Sequence, residues 1–171
     1  MPNWVENLLV IDNVPEERLE EIKKGIAGLE YHRDEHTRKL FQIRRAIDFQ
    51  KIIRAPRDYE LDGEDPQDWR TDNWGTKWNS LLNVVVSSNT LFFLTAWNPP
   101  LQIIMQLSLL FPDARFSLSY SSESNTAGIF MVKDIEINHD HSDDLDDKFG
   151  AMRDELRAMK HQFEKKMRES F

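Results

Sequence analysis

Residues 5–11, Val-Glu-Asn-Leu-Leu-Val-Ile, form an apolar-rich run closed by the turn pair Asp12-Asn13, which predicts a strand. Leu19, Ile22, Ile26 and Leu29 then recur at helical spacing behind Pro15. Glu16, Glu17, Glu20 and Glu21 suit the positive end of a helix dipole, so residues 15–30 are predicted as an amphipathic helix, weakened in its last turns by Gly25 and Gly28. Leu40, Ile43 and Ile47 give a second helical pattern, and Asp48–Ile53 reads as extended. Gly63 and Pro66 place a loop over 58–72. Two strands, Asn83–Ser88 and Leu91–Trp97, flank the turn Ser88-Asn89-Thr90. Leu91-Phe92-Phe93-Leu94 is apolar at consecutive positions, as expected of a strand covered on both faces. Asn98-Pro99-Pro100 ends that strand and opens a helix over 100–110, because proline fits only the first helical turn. Phe116, Leu118 and Tyr120 alternate with Arg115, Ser117 and Ser119, the period of a strand with one polar face. Ser121–Gly128 is a turn, and Ile129–Ile137 is a returning strand. Ser142 caps a long final helix, 143–169, with Asp143, Asp144, Asp146 and Asp147 near its start.

With insertions removed, the order is β-α-β-β-α-β, the split-βαβ or ferredoxin-like order. The predicted class is α+β: a ferredoxin-like antiparallel sheet in one domain, 1–140, with an insertion at about 33–80, then a C-terminal amphipathic helix, 141–171. The final helix carries Leu145, Phe149, Met152, Leu156, Met159 and Phe163 at spacings of 4, 3, 4, 3 and 4, a heptad-like seam. Such a helix is stable when its apolar stripe is buried. Packing on the free face of its own sheet is favoured over homodimerisation, since three heptads of Phe and Met specify dimers poorly.

Composition narrows the class. Five Trp, three Tyr and ten Phe exceed what a disordered chain carries. Thirty acids against 22 bases give a net charge of −8, which argues against phosphate binding over the whole surface. Locally the balance swings: residues 33–57 hold eight Lys/Arg against three acids, and 58–72 hold seven acids against one base. The absence of cysteine excludes disulfides, thiolate metal sites and a Cys nucleophile, makes iron–sulfur chemistry untenable, and fits a reducing cytosol. MPNWVENLLV lacks the basic and apolar regions of a signal peptide, and the apolar stretch 91–111 is broken by Asn98-Pro99-Pro100, so a cytoplasmic protein without a membrane span is expected.

Four segments carry a resemblance: Met1-Pro2-Asn3-Trp4-Val5-Glu6-Asn7, Phe49-Gln50-Lys51-Ile52-Ile53, Asn73-Trp74-Gly75-Thr76-Lys77-Trp78 and Thr95-Ala96-Trp97-Asn98-Pro99-Pro100. In that order, over roughly residues 1–135, the chain resembles the YubB ferredoxin-like domain family of phages and conjugative plasmids, seen also in Api-type phage proteins. It departs at Val5, where a cysteine is usual, at Arg54, which interrupts a Pro-x-Pro, and after residue 142, beyond the family pattern. The resemblance implies a ferredoxin-like domain carried by mobile elements, with no established reaction and no catalytic residues to transfer.

The candidate recognition patch is Trp4, Asn73, Trp74, Lys77, Trp78 and Trp97, all within those segments. Gly-Thr-Lys in NWGTKW is not a phosphate loop, which needs several glycines and Gly-Lys-Ser/Thr at a helix start. His139, Asp140, His141, Asp143 and Asp144 have metal-ligand side chains, but acids at a helix start are adequately explained by the helix dipole, and no metal is expected. Ser87, Ser88, Ser121 and Ser122 lack a nucleophile-elbow context, and the five histidines fall in polar stretches, so no catalytic residue is assigned. Phe92, Phe93 and Trp97 would be the bases' stacking platform if the sheet bound RNA, but the RNP signature is absent. These readings and the resemblance lead to a non-catalytic phage or plasmid accessory protein that acts by binding a host protein, inhibition of a defence or regulatory system being one form of that action, without a cofactor. The alternatives are a nucleic-acid-binding module using Arg38, Lys39, Arg44 and Arg45, and an enzyme of unknown reaction. A further variant has the acids of 58–72 and 140–147 on one surface imitating DNA phosphates.

Overall fold

Strand β1 (Trp4–Asp12) runs through the middle of the sheet, with its odd-numbered side chains on one face and its even-numbered ones on the other. The computed structural model describes residues 3–57, 60–124, 126–133 and, as backbone, 136–140. After β1 come α1 (Glu16–Ile26), β2 (Gly28–Arg33), β3 (Leu40–Arg45), α2 (Phe49–Ile52) and α3 (Pro66–Trp74). Then follow β4 (Leu81–Ser87), β5 (Thr90–Ala96), α4 (Leu101–Leu110), β6 (Arg115–Ser122), β7 (Ala127–Lys133) and β8 (Glu136–Asp140). Six strands form one antiparallel sheet in the order β4-β5-β1-β6-β7-β8, and β2 pairs with β3 in a separate ribbon. Within it, β1-α1-β4-β5-α4-β6 with strand order β4-β5-β1-β6 is the ferredoxin-like arrangement, extended by the β7–β8 hairpin.

One face is covered by helices. Val5, Leu9 and Ile11 of β1, Leu91 and Phe93 of β5, and Phe116 and Leu118 of β6 form one core with Leu19, Ile22 and Ile26 of α1 and Ile103, Ile104 and Leu107 of α4. Arg18 of α1 ties the same layer to the α4–β6 loop by a forked pair to Asp113, with Nε at 2.8 Å from Oδ2. That contact holds the Asp113 carboxyl below its usual range. On the other face Trp4, Leu8, Phe92, Leu94 and Ala96 form a second apolar cluster. Every position of β5 from Leu91 to Ala96 is buried, which bears out the expectation of a strand covered on both sides.

The insertion between α1 and β4 departs from the sequence-based expectation. The predicted helix around Leu40, Ile43 and Ile47 is strand β3, paired to β2 from Gly28↔Arg45 to Arg33↔Leu40. The i, i+3 spacing of Leu40 and Ile43 does not distinguish helix from strand over so short a run, and tertiary pairing decides. Asp48–Ile53, expected to be extended, contains helix α2, because the Asp48 carboxylate caps it by accepting from Gln50 N at 3.0 Å. The predicted 58–72 loop ends in helix α3: Asp65 accepts from Gln67 N at 2.6 Å, Pro66 sits in the first turn, and Gly75 closes the helix in the left-handed region with φ 79°. The helix predicted to reach residue 30 stops at Ile26, and Gly28 starts β2 against Asp48, whose N–H donates to Ile26 O at 2.8 Å. The single returning strand predicted for 129–137 is the hairpin β7–β8. The predicted helix 143–169 lies outside the described residues.

Two substitutions test this packing. Phe93, fully buried and edge-on to Phe49 at 6.1 Å between centroids, should lose about 3–5 kcal/mol of stability as Phe93→Ala in urea unfolding. At Gly28 an added Cβ would stand 2.5 Å from Asp48 Cβ, close to backbone that cannot swing away. Gly28→Ala is therefore expected to cost about 3 kcal/mol, although an ordinary glycine-to-alanine change within a strand stabilises.

Candidate functional site

The segment from Asn73 to Trp78 passes around one end of the sheet. Trp74 closes α3 inside the helix-side core, 1 % exposed, with its indole N–H donating to Ile53 O at 2.8 Å and its ring edge-on to Phe49 and Trp69. Gly75 turns the chain. Thr76, fully buried, clamps the last residue of β5 from both sides: its hydroxyl donates to Ala96 O at 2.7 Å and accepts from Ala96 N at 3.2 Å. Lys77 follows, its carbonyl accepting from Arg70 Nε at 2.8 Å. Trp78 then lies on the opposite face, 6.0 Å from Trp4 between ring centroids.

The clamp sets Trp97 at the corner where β5 turns into α4. Trp97 takes φ 78°, in the left-handed region that an L side chain with a branched or bulky body disfavours by about 1–2 kcal/mol. Several bonds fix it there. Trp97 N donates to Asn3 O at 2.8 Å. Buried Asn7 donates through Nδ2 to Thr95 Oγ1 at 2.9 Å, and Thr95 Oγ1 in turn donates to Asn98 O at 2.8 Å, bridging across Trp97. Pro99 and Pro100 restrict the backbone beyond. The indole remains 40 % exposed. Lys77 Nζ lies 4.8 Å from the Trp97 ring centroid and 4.9 Å from that of Trp78, so the cation is held between two π faces. The result is a rigid surface feature, an indole beside a fixed positive charge.

The six residues expected to form a patch therefore divide. Lys77, Trp78 and Trp97 come together at the surface corner. Trp4, 5 % exposed, and Trp74 are core residues on opposite faces of the sheet, because their large apolar area is worth more buried than presented. Asn73 turns its side-chain amide back to Trp69 O at 2.9 Å on its own helix. Sequence reasoning missed Asn7, Thr76 and Thr95, whose polar side chains sit in apolar strand or motif positions and make the corner rigid. That mismatch of a polar residue in a buried strand was the available signal.

The basic stretch is a ribbon rather than a Lys/Arg-rich helix. Arg38 (φ 59°) and Lys39 lie in and beside its exposed turn, and Arg44 is exposed on β3 beside Leu29. Arg45 is removed from the nucleic-acid candidates: it is buried, its Nη1 lies 2.7 Å from Glu30 Oε2, and its Nε donates to Ser80 O at 3.0 Å. Phe92 and Phe93 are buried on opposite faces and offer no stacking platform. Among the described residues no group of three or more His, Cys, Asp or Glu is placed to hold a metal ion; the side chains of His139 and Asp140, and residues 141–147 with them, lie outside that description. Among the described residues no helix is long and apolar enough to cross a membrane.

Residues 73–165, more than half of the 171, match the family model described as a ferredoxin-like domain in Api92-like protein. The match begins at the first residue of NWGTKW and takes in the Trp97 corner, both central motifs of the resemblance. It also runs to residue 165, which corrects the expectation that the chain leaves the family pattern after residue 142. No match is found among curated proteins or among solved structures. By motif, strand order and family match together, the chain belongs to the ferredoxin-like domains of Api92-like proteins.

Proposed function

We propose that this is a non-catalytic binding protein of a phage or plasmid, acting in the cytoplasm on a host protein through the corner formed by Trp97, Lys77 and Trp78. The observation that carries the reading is the exposed indole of Trp97 held at φ 78°. Backbone strain of this kind persists where surrounding structure over-determines it, and it concentrates at functional positions. An aromatic anchor already fixed in its bound geometry loses little conformational entropy on association, and Trp is the residue most enriched at interface hot spots. The adjacent Lys77 cation specifies the complement: an apolar pocket for the indole with a carboxylate at its rim.

A second reading rests on the β2–β3 ribbon. Tyr31, 59 % exposed, shares one of its faces with Arg33 and Arg44, and Arg38 and Lys39 occupy its turn, an aromatic-and-basic surface on an acidic protein. That surface favours nucleic acid over protein, with affinity falling steeply as salt rises.

The variant that separates these readings is Trp97→Gly. Glycine adopts positive φ freely, so the variant should be as stable as the parent in thermal unfolding, the relief of strain offsetting the lost ring contacts. Its affinity for a stoichiometric partner recovered from bacterial lysate should fall about 30-fold or more, the scale of a hot-spot residue. Undiminished partner binding by Trp97→Gly would reject the corner as the interface. Salt-sensitive DNA or RNA binding abolished by Lys39→Glu with Arg44→Glu would favour the ribbon.

A further inference from the structure

The β2–β3 ribbon is tied down at one end and exposed at the other. At its base Arg45 Nε donates to Ser80 O at 3.0 Å, and Asp48 N donates to Ile26 O at 2.8 Å. Away from that base, residues 35–42 are all exposed. The pairs Leu29↔Arg44, Tyr31↔Gln42 and Arg33↔Leu40 put six exposed side chains on one face, two guanidiniums and an amide among them and no acid. Glu30, on the opposite face, pairs with Arg45 at 2.7 Å. Asp34 accepts from His36 N at 3.0 Å and from Thr37 N within the turn. Glu35 is exposed in that turn, where Arg38 and Lys39 outnumber it. Among the described residues, the side chains of Arg33, Arg38, Lys39 and Arg44 enter no ion pair. Such a group of unpaired cations on a chain of net charge −8 is complementary to a polyanion.

We propose that this face of the ribbon lies in the major groove of duplex DNA and reads base edges through Gln42, Arg33 and Arg44, with Arg38 and Lys39 on phosphate. The proposal deepens the nucleic-acid reading of the ribbon and rests on it. Shape is the first support. The major groove, about 12 Å wide, admits a two-stranded ribbon, whereas that of duplex RNA is too narrow for side chains to read. Side chains on one face repeat about every 6.8 Å along a strand, two base-pair rises of about 3.4 Å, so the three cross-strand rows meet every second base pair. Chemistry is the second support. Arginine forks onto guanine O6 and N7, glutamine onto adenine N6 and N7, and an apolar side chain contacts the thymine methyl. Gln42 is already oriented for this. Its Nε2 donates to Tyr31 OH at 3.0 Å, which leaves the second amide hydrogen and Oε1, the donor and acceptor that adenine requires. A single strand would instead call for successive stacking rings. This face has one ring, Tyr31, and the ribbon's His32 and Phe41 stack on each other on the opposite face, 5.7 Å between centroids.

The full chain is offered a DNA duplex randomised over its central part, the separated strands of that duplex, and a duplex RNA, and bound sequences are recovered through successive rounds. Duplex DNA should be retained over both other probes and should converge on a short preferred run containing guanine and adenine. Replacing the purines of that run by 7-deazapurines, which lack the N7 acceptor, should weaken binding about tenfold or more. Tyr31→Phe and Gln42→Ala, both at exposed positions, should match the parent in thermal unfolding. Each should lose about 5- to 100-fold of the discrimination at one base pair while keeping its affinity for unselected duplex. Lys39→Glu should weaken binding to every duplex alike and flatten the salt dependence. Separated strands bound as tightly as the duplex, or undiminished binding to the 7-deaza duplex, would overturn the groove placement and leave the nucleic-acid reading of the ribbon standing. Recovery of no preferred run would reduce the face to a phosphate contact and overturn the base readers. Failure to bind any of the three probes at low salt would remove both the placement and the reading beneath it.

Discussion

Burial of β5 on both faces is the constraint on which the remaining features depend. A strand with one wet face tolerates polar residues at alternate positions, but Leu91–Ala96 has no wet face. Each face must then be roofed, and the strand's polar groups must find partners inside the protein, since an unpaired buried donor or acceptor costs about 1–3 kcal/mol. On the helix side the roof is α1 and α4, with α2 and α3 of the insertion completing it around Phe49 and Trp74. Thr95, buried in that strand, is satisfied by Asn7 from the neighbouring strand and by the carbonyl of Asn98 beyond the strand's end. A requirement of burial thus becomes a device that fixes the turn after β5.

The same requirement explains the path of NWGTKW. Its two tryptophans are committed to opposite faces, Trp74 to the helix-side core and Trp78 to the contact with Trp4, so the four residues from Trp74 to Lys77 have to round the end of β5. Gly75 supplies the left-handed turn, and Thr76 anchors it to Ala96 by two hydrogen bonds. Lys77 then emerges next to Trp97. The surface corner is accordingly a by-product of joining two cores, and its rigidity comes from both of them.

Sequence patterning disclosed the strands and helices marked by an unbroken apolar run, a single period or a sharp turn signal: β1, α1, β4, β5, α4 and β6. The consecutive apolar residues of β5 disclosed its double burial as well. The insertion was opaque for specific reasons. Leu40, Phe41 and Ile43 fit neither period over six residues, and α2 is a single turn held by the Asp48 cap and by Asn79, thirty residues away, which accepts from Phe49 N at 2.9 Å. Pro66, read as a loop marker, instead sits in the first turn of α3 behind the Asp65 cap. At the site, residue types identified Lys77, Trp78 and Trp97 but not which tryptophans were core. The distinction depends on which face each strand end presents, and the Asn7–Thr95 bond that decides the corner spans 88 residues.

The surface corner depends on Trp97 being held in its exposed, left-handed geometry before any partner arrives. Nuclear magnetic relaxation of the free chain at the Trp97 backbone amide and indole N–H reads that geometry. Order parameters near 0.85 are expected at both sites, matching the core strands, together with an HN–Hα coupling that reports positive φ. Order parameters below about 0.6 at Trp97 beside an otherwise rigid β5, or a coupling that reports extended backbone, would contradict it.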